Sequence, residues 1–182
     1  AIEVPFKSDQ PLGYYTIQAT AGDKQISGEF RLAEFKPPNF KVALTLPQKF
    51  GLAQQSIVAN AQSNYLFGAP LQGGQANFYV TRQPTEFTPS GWDQFSFGRR
   101  WFWPEEQPQV STDVLQTTQV LNQQGQGNTS FTIATDLPYA MTYRVDVQVM
   151  DVSNLSVADS QTLTALPSDR LIGVKNDFVG QA

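Results

Sequence analysis

The sequence predicts an all-β fold, an antiparallel immunoglobulin- or fibronectin-III-like β-sandwich. Short runs rich in β-branched and aromatic residues recur along the whole chain, and Gly, Pro and Asn separate them. Within the clearest runs apolar and polar residues alternate, which is typical of strands with one buried and one solvated face. No long stripe of helical period competes with this pattern. Many short strands divided by turn residues favour a sandwich over a helical or α/β fold.

The alternation is clearest in two of the predicted strands. Phe40–Leu46 places its apolar residues on one face, and Thr142–Met150 places Tyr143 and three valines inward with Arg144, Asp146 and Gln148 outward. The predicted strands are Tyr14–Ala21, Glu29–Phe35, Phe40–Leu46, Ser56–Ser63, Gln75–Thr81, Asp113–Leu121, Thr129–Thr135, Thr142–Met150 and Ser156–Ala165.

Composition excludes several classes of function. The chain contains no Cys and no His, so Cys/His zinc sites, thiol nucleophiles and Ser-His-Asp triads are ruled out within it. A net charge of −4, with Arg99-Arg100 as the adjacent basic pair, argues against a nucleic-acid partner, which needs a basic surface. No apolar run is long enough to insert into a membrane. We therefore expect no enzyme activity, no cofactor and no metal.

A weak internal repeat suggests a string of related domains. Gly13–Ala19 resembles Met141–Val147, and Phe50–Ala53 resembles Phe178–Ala182 at the same offset along the chain. The repeat predicts that residues 1–35 are the last strand pair of a preceding domain. Residues 36–166 are then one complete domain, and residues 167–182 begin the next. The chain starts and ends, on this interpretation, inside a longer protein.

Tyr143 carries a local signature of a sandwich. Leu137 precedes it by six residues, and Tyr143 opens an alternating strand after a Pro turn. The arrangement resembles the tyrosine corner, in which the ring packs inside and its hydroxyl caps a backbone group of a loop. The alternative is a core Tyr near a Pro turn, and either interpretation makes Tyr143 structural.

The junction between the first two predicted domains carries a family resemblance. An aliphatic-x-Glu-aromatic step, Leu32 to Phe35, is followed by Pro37, Pro38 and an aromatic residue that opens the next strand. This resembles the link between successive macroglobulin-like domains of the α2-macroglobulin family. Pro37 and Pro38 are structural here, because proline cannot continue a β-ladder and holds an extended joint.

A second segment adds to the resemblance. The run from Asn64 to Gly73, with Tyr65-Leu66-Phe67-Gly68-Ala69-Pro70 at its centre, is similar to the strand and turn that follow this junction in bacterial members of the family. Gly68 and Pro70 are the residues that turn the chain. The resemblance extends over roughly the whole chain, but the stretch from Pro84 to Ser111 matches no known pattern.

The family resemblance implies a role in trapping proteases. Such proteins are cleaved in a bait segment and rearrange, and many capture the attacker through a thioester that needs a Cys. This chain has no Cys and no long bait-like insert, so the resemblance implies a supporting module with neighbouring macroglobulin-like domains as its direct partners. Target proteases would be met only by the intact protein. The implied location is extracytoplasmic, either in the periplasm or at the cell surface. A lipid anchor elsewhere in the parent protein is one way in which it could be held there.

The connection between Thr81 and Asp113 contains an unusual aromatic segment, residues 95–106. Connections of this length are usually functional or disordered, and this one is too aromatic for disorder. Three interpretations stay open: packing on its own or a neighbouring domain, a protein-binding patch, or a glycan-binding platform. The candidate interface residues are Arg100, Trp101, Phe102 and Trp103, and we expect at least two of the three rings to be buried against protein.

The acidic residues offer no catalytic or metal arrangement. Glu105 and Glu106 are neighbours, so they point apart on an extended chain and cannot act as an acid/base pair. Asp146, Asp151 and Asp159 could ring a Ca²⁺ ion, but their spacing favours solvated strand and turn positions. The functional classes are therefore, in order, a structural module of a protease trap, a carbohydrate- or protein-binding sandwich of a surface protein, and an enzyme.

Overall fold

The computed structural model describes residues 10–11, 13–32, 37, 39–98 and 108–175, and within these ranges it is all-β, with no helix. The all-β prediction is confirmed. The described strands are β1 (Gly13–Ala21), β2 (Lys24–Leu32), β3 (Phe40–Thr45), β4 (Phe50–Leu52), β5 (Ser56–Tyr65), β6 (Gln75–Pro84), β7 (Ser96–Phe97), β8 (Asp113–Val120), β9 (Gln126–Thr132), β10 (Met141–Met150), β11 (Ser156–Leu166) and β12 (Gly173–Val174).

The chain divides into two compact units, Ala1–Pro37 and Pro38–Ala182. In the first unit, β1 and β2 form an antiparallel hairpin whose turn contains Gly22 in the left-handed region, with φ of 62°. One face of the hairpin is apolar, because Tyr15 stacks on Phe30 with ring centroids 5.6 Å apart. On that same face Ile26 is 74 % exposed. The hairpin therefore presents an apolar face to solvent.

The second unit is a two-layer sandwich. Its larger sheet has the order β4-β11-β10-β6-β8, and its smaller sheet the order β3-β5-β9. Pairing is antiparallel except between β4 and β11, which run parallel. The short strands β7 and β12 form a separate antiparallel pair. The antiparallel sandwich predicted from the sequence is confirmed.

Alternation of side chains places the core between the two sheets. On β10, Tyr143 and the three valines are fully buried while Arg144 and Gln148 are exposed, as the sequence pattern predicts. The facing sheet contributes the buried residues Ile57, Ala59 and Ala61 from β5, and Phe131 from β9. Phe131 stacks on Tyr143 with ring centroids 5.7 Å apart, so an aromatic pair joins the two layers.

Among the strand bounds that differ from the sequence-based prediction, those of β2 and β9 have a clear structural reason. The predicted strand Glu29–Phe35 begins earlier, at Lys24, because the turn at Gly22 brings Lys24 opposite Ala21; residues 33–35 lie outside the described residues. The predicted strand Thr129–Thr135 runs instead from Gln126 to Thr132. Its polar first residues pair with β5, whereas Ile133 bonds to the loop groups of Gln54 and Gln55 rather than to the ladder.

The strands β4, β7 and β12 were not predicted. Each has only two or three residues, so none is long enough to show a period of two. Their pairing depends on where the partner strand lies, which local sequence does not contain.

A carboxylate closes the sandwich at the edge strand β3. Asp159 lies opposite Val147 in the β10–β11 register, so its side chain points towards the core rather than to solvent. Its Oδ2 accepts a hydrogen bond from the backbone N–H of Leu44 at 2.7 Å, and its Oδ1 accepts one from the N–H of Ser160 at 2.8 Å. An inward-pointing charge is one device that keeps an edge strand from pairing with another chain.

We predict that Asp159→Ala lowers the free energy of unfolding by about 1–3 kcal/mol, because the edge amide of Leu44 loses a charged acceptor. The measurement is urea unfolding followed by circular dichroism. The matched control is Asp146→Ala on β10, which removes a half-buried carboxylate that faces away from the core and is paired with Arg144, and it is expected to change stability little. Equal effects of the two substitutions would contradict the role assigned to Asp159.

Candidate functional site

The four candidate interface residues, Arg100, Trp101, Phe102 and Trp103, lie outside the described residues. The described part of the same connection runs from Pro84 to Gly98 and from Pro108 to Thr112. It contains a second group of aromatic side chains, Trp92, Phe95 and Phe97, and we call residues 89–98 the aromatic arm.

Two consecutive turns build the aromatic arm. The N–H of Trp92 donates to the carbonyl of Pro89 at 3.1 Å, and the N–H of Phe95 donates to the carbonyl of Trp92 at 2.9 Å. Gly91 lies within the first turn with φ of 83°, a left-handed conformation that suits glycine. The turns place the ring of Trp92 edge-on to that of Phe95, with centroids 5.1 Å apart, and Phe97 follows at 6.4 Å from Phe95.

The arm pairs with β12, the last strand of the described chain. β7, within the arm, pairs antiparallel with β12, so that Phe97 lies opposite Gly173 and Ser96 opposite Val174. The aromatic rings and this strand line a groove of about 330 Å³, together with Pro89, Asp169 and Leu171. A second groove of about 340 Å³ lies where Phe95, Phe97 and Leu171 meet Tyr139 and Pro167.

Hydrogen bonds fix both ends of the connection to the sandwich. On one side, the N–H of Thr85 donates to the carbonyl of Ala140 at 3.0 Å. On the other, the Tyr139 hydroxyl donates to the carbonyl of Pro108 at 3.1 Å, and Arg82 donates from its Nε to the carbonyl of Ser111 at 2.8 Å. The described residues at both ends of the connection are therefore bonded to the sandwich.

The sequence singled out Phe95 and Phe97 but missed Trp92 and Gly173. The signals for these two were weak. Trp92 follows a Pro-Ser-Gly turn, and Gly173 lies in the short apolar run Leu171–Val174 after Pro167. Neither pattern shows that the two segments pair.

Gly68 and Pro70 lie in a tight turn at the end of β5. The N–H of Gly68 donates to the carbonyl of Tyr65 at 2.9 Å, and Gly68 has φ of 100°, which favours glycine. Pro70 forms an isolated antiparallel bridge with Asn64. From this turn the chain crosses to β6, which lies in the other sheet. Of the two junction prolines, Pro37 is exposed and Pro38 lies outside the described residues.

Tyr143 is fully buried on the central strand. Its hydroxyl accepts a hydrogen bond from the backbone N–H of Ala134 at 3.2 Å and another from an Arg82 guanidinium nitrogen at 3.3 Å. Ala134 follows β9 in the connection between the sheets. The hydroxyl thus caps a loop backbone group from inside the core.

The three aspartates considered for a Ca²⁺ site do not converge. Asp146 points outward from β10, whereas Asp159 points inward from β11. Asp151 is buried in the β10–β11 turn, where its Oδ1 accepts hydrogen bonds from the N–H groups of Ser153 and Leu155, both at 2.9 Å. The prediction of solvated positions is therefore wrong for Asp151, which is buried, and for Asp159, which is half-buried and bonded to backbone. No group of three or more His, Cys, Asp or Glu side chains occurs among the described residues.

The electrostatic features of the described surface are modest. Arg144 donates a bidentate pair of hydrogen bonds to Asp146, from Nε to Oδ2 at 2.9 Å and from a terminal nitrogen to Oδ1 at 2.8 Å. These bonds, with the charge of the carboxylate, raise the pKa of Arg144 above its ordinary value. Across the described ranges, no helix is long and apolar enough to span a bilayer.

The fold and its buried side chains define the class of protein. It is a β-sandwich in which Tyr143, Asp151 and Asp159 make structural hydrogen bonds. The family model described as the bacterial alpha-2-macroglobulin MG5 domain matches residues 39–167. A curated protein named alpha-2-macroglobulin homolog, from Nostoc sp., is 56 % identical over 183 residues, which covers 100 % of this chain. The chain belongs to the bacterial alpha-2-macroglobulin MG5 domain family.

Solved structures agree with the fold. A crystal structure of Salmonella alpha-2-macroglobulin reacted with methylamine has a TM-score of 0.63 at 21 % identity, covering 96 % of this chain and 11 % of that one. Escherichia coli alpha-2-macroglobulin activated by porcine elastase has a TM-score of 0.62 at 21 % identity, covering 97 % of this chain and 15 % of that one. The chain spans 10 % of the length of the Nostoc relative.

We predict that Tyr143→Phe lowers the free energy of unfolding by about 1–3 kcal/mol, because the amide of Ala134 and the Arg82 guanidinium lose a buried acceptor. Urea unfolding measures the change. The matched control is Tyr79→Phe, in which the altered ring is 36 % exposed on β6. A Tyr143→Phe variant as stable as the control would show that the hydroxyl is not needed.

Proposed function

We propose that this chain is a non-catalytic structural module of a bacterial alpha-2-macroglobulin-like protease inhibitor, a protease trap whose bait and capture machinery lies elsewhere in the parent protein. The observation that carries the proposal is the 56 % identity with the Nostoc alpha-2-macroglobulin homolog along the whole of this chain. Two of the described carboxylates, those of Asp151 and Asp159, accept hydrogen bonds from backbone amides. These contacts are what a scaffold needs.

Solved structures of related proteins support the trapping role. They describe Escherichia coli alpha-2-macroglobulin as activated by trypsin in one case and by porcine elastase in another. A protein that changes state after contact with two proteases of different specificity fits a broad-spectrum trap. On this proposal, proteases meet the intact parent, and the direct partners of this chain are neighbouring macroglobulin-like domains. The parent acts outside the cytoplasm, in the periplasm or at the cell surface, where foreign proteases arrive.

We also propose the domain division 1–35, 36–166 and 167–182. The chain divides structurally after Pro37, and the family match covers residues 39–167. The β1–β2 hairpin has an apolar face with exposed Ile17 and Ile26, which is how a strand pair looks when the opposing sheet of its own domain is absent. Residues 1–35 would complete a sandwich that begins upstream.

The trapping role predicts a difference between the intact parent and this chain. Incubated with trypsin, the parent is expected to suppress digestion of a large protein substrate while hydrolysis of a small peptide substrate continues, because a trapped protease keeps its active site but is shielded from bulky substrates. The 182-residue chain alone is expected to inhibit neither reaction. Stoichiometric inhibition by this chain alone, or unchanged digestion with the parent, would overturn the proposal.

The domain division predicts that residues 36–166 unfold in a single cooperative transition, because both core layers lie within them. Residues 1–35 alone are expected to lack stable structure, since an isolated hairpin is marginal in water. Calorimetry and circular dichroism of the two pieces provide the measurement. Gradual unfolding of the 36–166 piece would show that the boundary cuts through a domain.

A further inference from the structure

The segment that follows the last strand of the sandwich is paired with another part of the chain. We call residues 167–175 the exit segment; it follows β11, which ends at Leu166, and begins where the family match ends. A short turn opens it, in which the N–H of Arg170 donates to the Ser168 hydroxyl at 3.1 Å. The segment then extends and pairs through β12 with β7 of the aromatic arm.

The contact between arm and exit segment is tight at one position. A Cβ added to Gly173 would lie 2.7 and 2.8 Å from two carbons of the Phe97 ring, and 3.2 Å from the Cβ of Phe95. Real Cβ atoms do not approach within 3.0 Å of other atoms, so a side chain at Gly173 requires the ring or the strand to move. The absence of a side chain at Gly173 allows the exit segment to approach the Phe97 ring this closely.

The exit segment also has two distinct faces. Leu171 and Gly173 are half-buried and line the groove beside the arm, whereas Ile172 and Val174 are 84 % and 57 % exposed. This alternation is that of a strand with one face already packed. The exposed apolar face is available to a further layer, which the proposed downstream domain would supply.

The arm also meets the sandwich independently of the exit segment: it follows closely on Thr85, whose N–H donates to the carbonyl of Ala140, and its Phe95 and Phe97 line a groove together with Tyr139. The exit segment is therefore tied to the sandwich twice, covalently through Leu166 and non-covalently through the arm. A single covalent link leaves the orientation of a following domain free, and relative domain motion is then the default. A second attachment several residues further along removes that freedom.

We propose that the aromatic arm is a docking surface whose partner is the exit segment of its own chain, and that this docking fixes the direction in which the following domain leaves the sandwich. The proposal deepens the structural role proposed above and rests on the division at residue 167. It gives the aromatic arm, which is part of the connection that matched no sequence pattern, a role in setting the orientation of the following domain.

The test is amide hydrogen exchange, measured by NMR on the 182-residue chain. In the unmodified chain, we expect the amides of the β7–β12 pair to exchange at least about tenfold more slowly than unstructured amides. Gly173→Ala is expected to remove this protection from both strands while the amides of β10 keep theirs. The matched control is Gly28→Ala: Gly28 also lies in a strand, and a Cβ there meets nothing within 4 Å.

A second variant separates the ring from the backbone. Phe97→Ala removes the atoms that clash with the added methyl group, so the double variant Phe97→Ala/Gly173→Ala is expected to show no greater loss of protection than Phe97→Ala alone. This non-additivity is the signature of direct contact between the two positions. Additive losses would show that Gly173 acts elsewhere, against the proposal.

Rapid exchange of the β7–β12 amides in the unmodified chain would overturn the docking. Full protection in both the Phe97→Ala and the Gly173→Ala chains would overturn it as well, because the contact with the Phe97 ring would then not hold the exit segment. Neither result touches protease trapping, which is measured on the intact parent. Loss of trapping with normal protection of these amides would refute the proposed function and leave the docking standing.

Discussion

At the centre of the sandwich the Tyr143 hydroxyl accepts hydrogen bonds from two parts of the fold at once. One donor, the Ala134 amide, belongs to the connection that follows β9, and the other, Arg82, lies at the end of β6. Arg82 also holds the carbonyl of Ser111 at the foot of the long connection. A buried phenol must find partners, and here those partners link the connection after β9, the end of β6 and, through Arg82, the foot of the long connection at Ser111.

Polar groups elsewhere in the described chain follow the same logic. Asp151 satisfies the amides of the β10–β11 turn, and Asp159 satisfies an amide on the edge of the opposite sheet. Both carboxylates accept hydrogen bonds from backbone N–H groups, which is a structural role. The Asp151 bonds hold one turn of the larger sheet, and the Asp159 bond to Leu44 joins the two sheets, so both make the sandwich more rigid.

The sequence predicted the parts of the fold that depend on local periodicity. The inward side chains of β10 are visible as an alternation of Tyr and Val with charged residues, and the structure confirms them. The contacts that define the aromatic arm were not predictable in this way. The need for glycine at position 173 arises only because the Phe97 ring, distant in sequence, lies against it. Likewise, β4 exists because β11 offers it a parallel edge, not because Phe50–Leu52 has a strong preference of its own. The four candidate interface residues lie outside the described chain, so their assignment stays a prediction.

The hydrogen bond from Leu44 to Asp159 has a consequence for synthesis of the protein. The two residues are 115 positions apart, so β3 is made long before the carboxylate that caps its edge. At ordinary translation rates of about 5–20 residues per second, the gap is on the order of 10 s. The β10–β11 hairpin, by contrast, closes through a short turn and forms as soon as its second strand emerges from the ribosome. Between the synthesis of β3 and that of Asp159, the nascent chain carries β3 as an uncapped edge. The rate of elongation sets how long this edge is exposed to other chains.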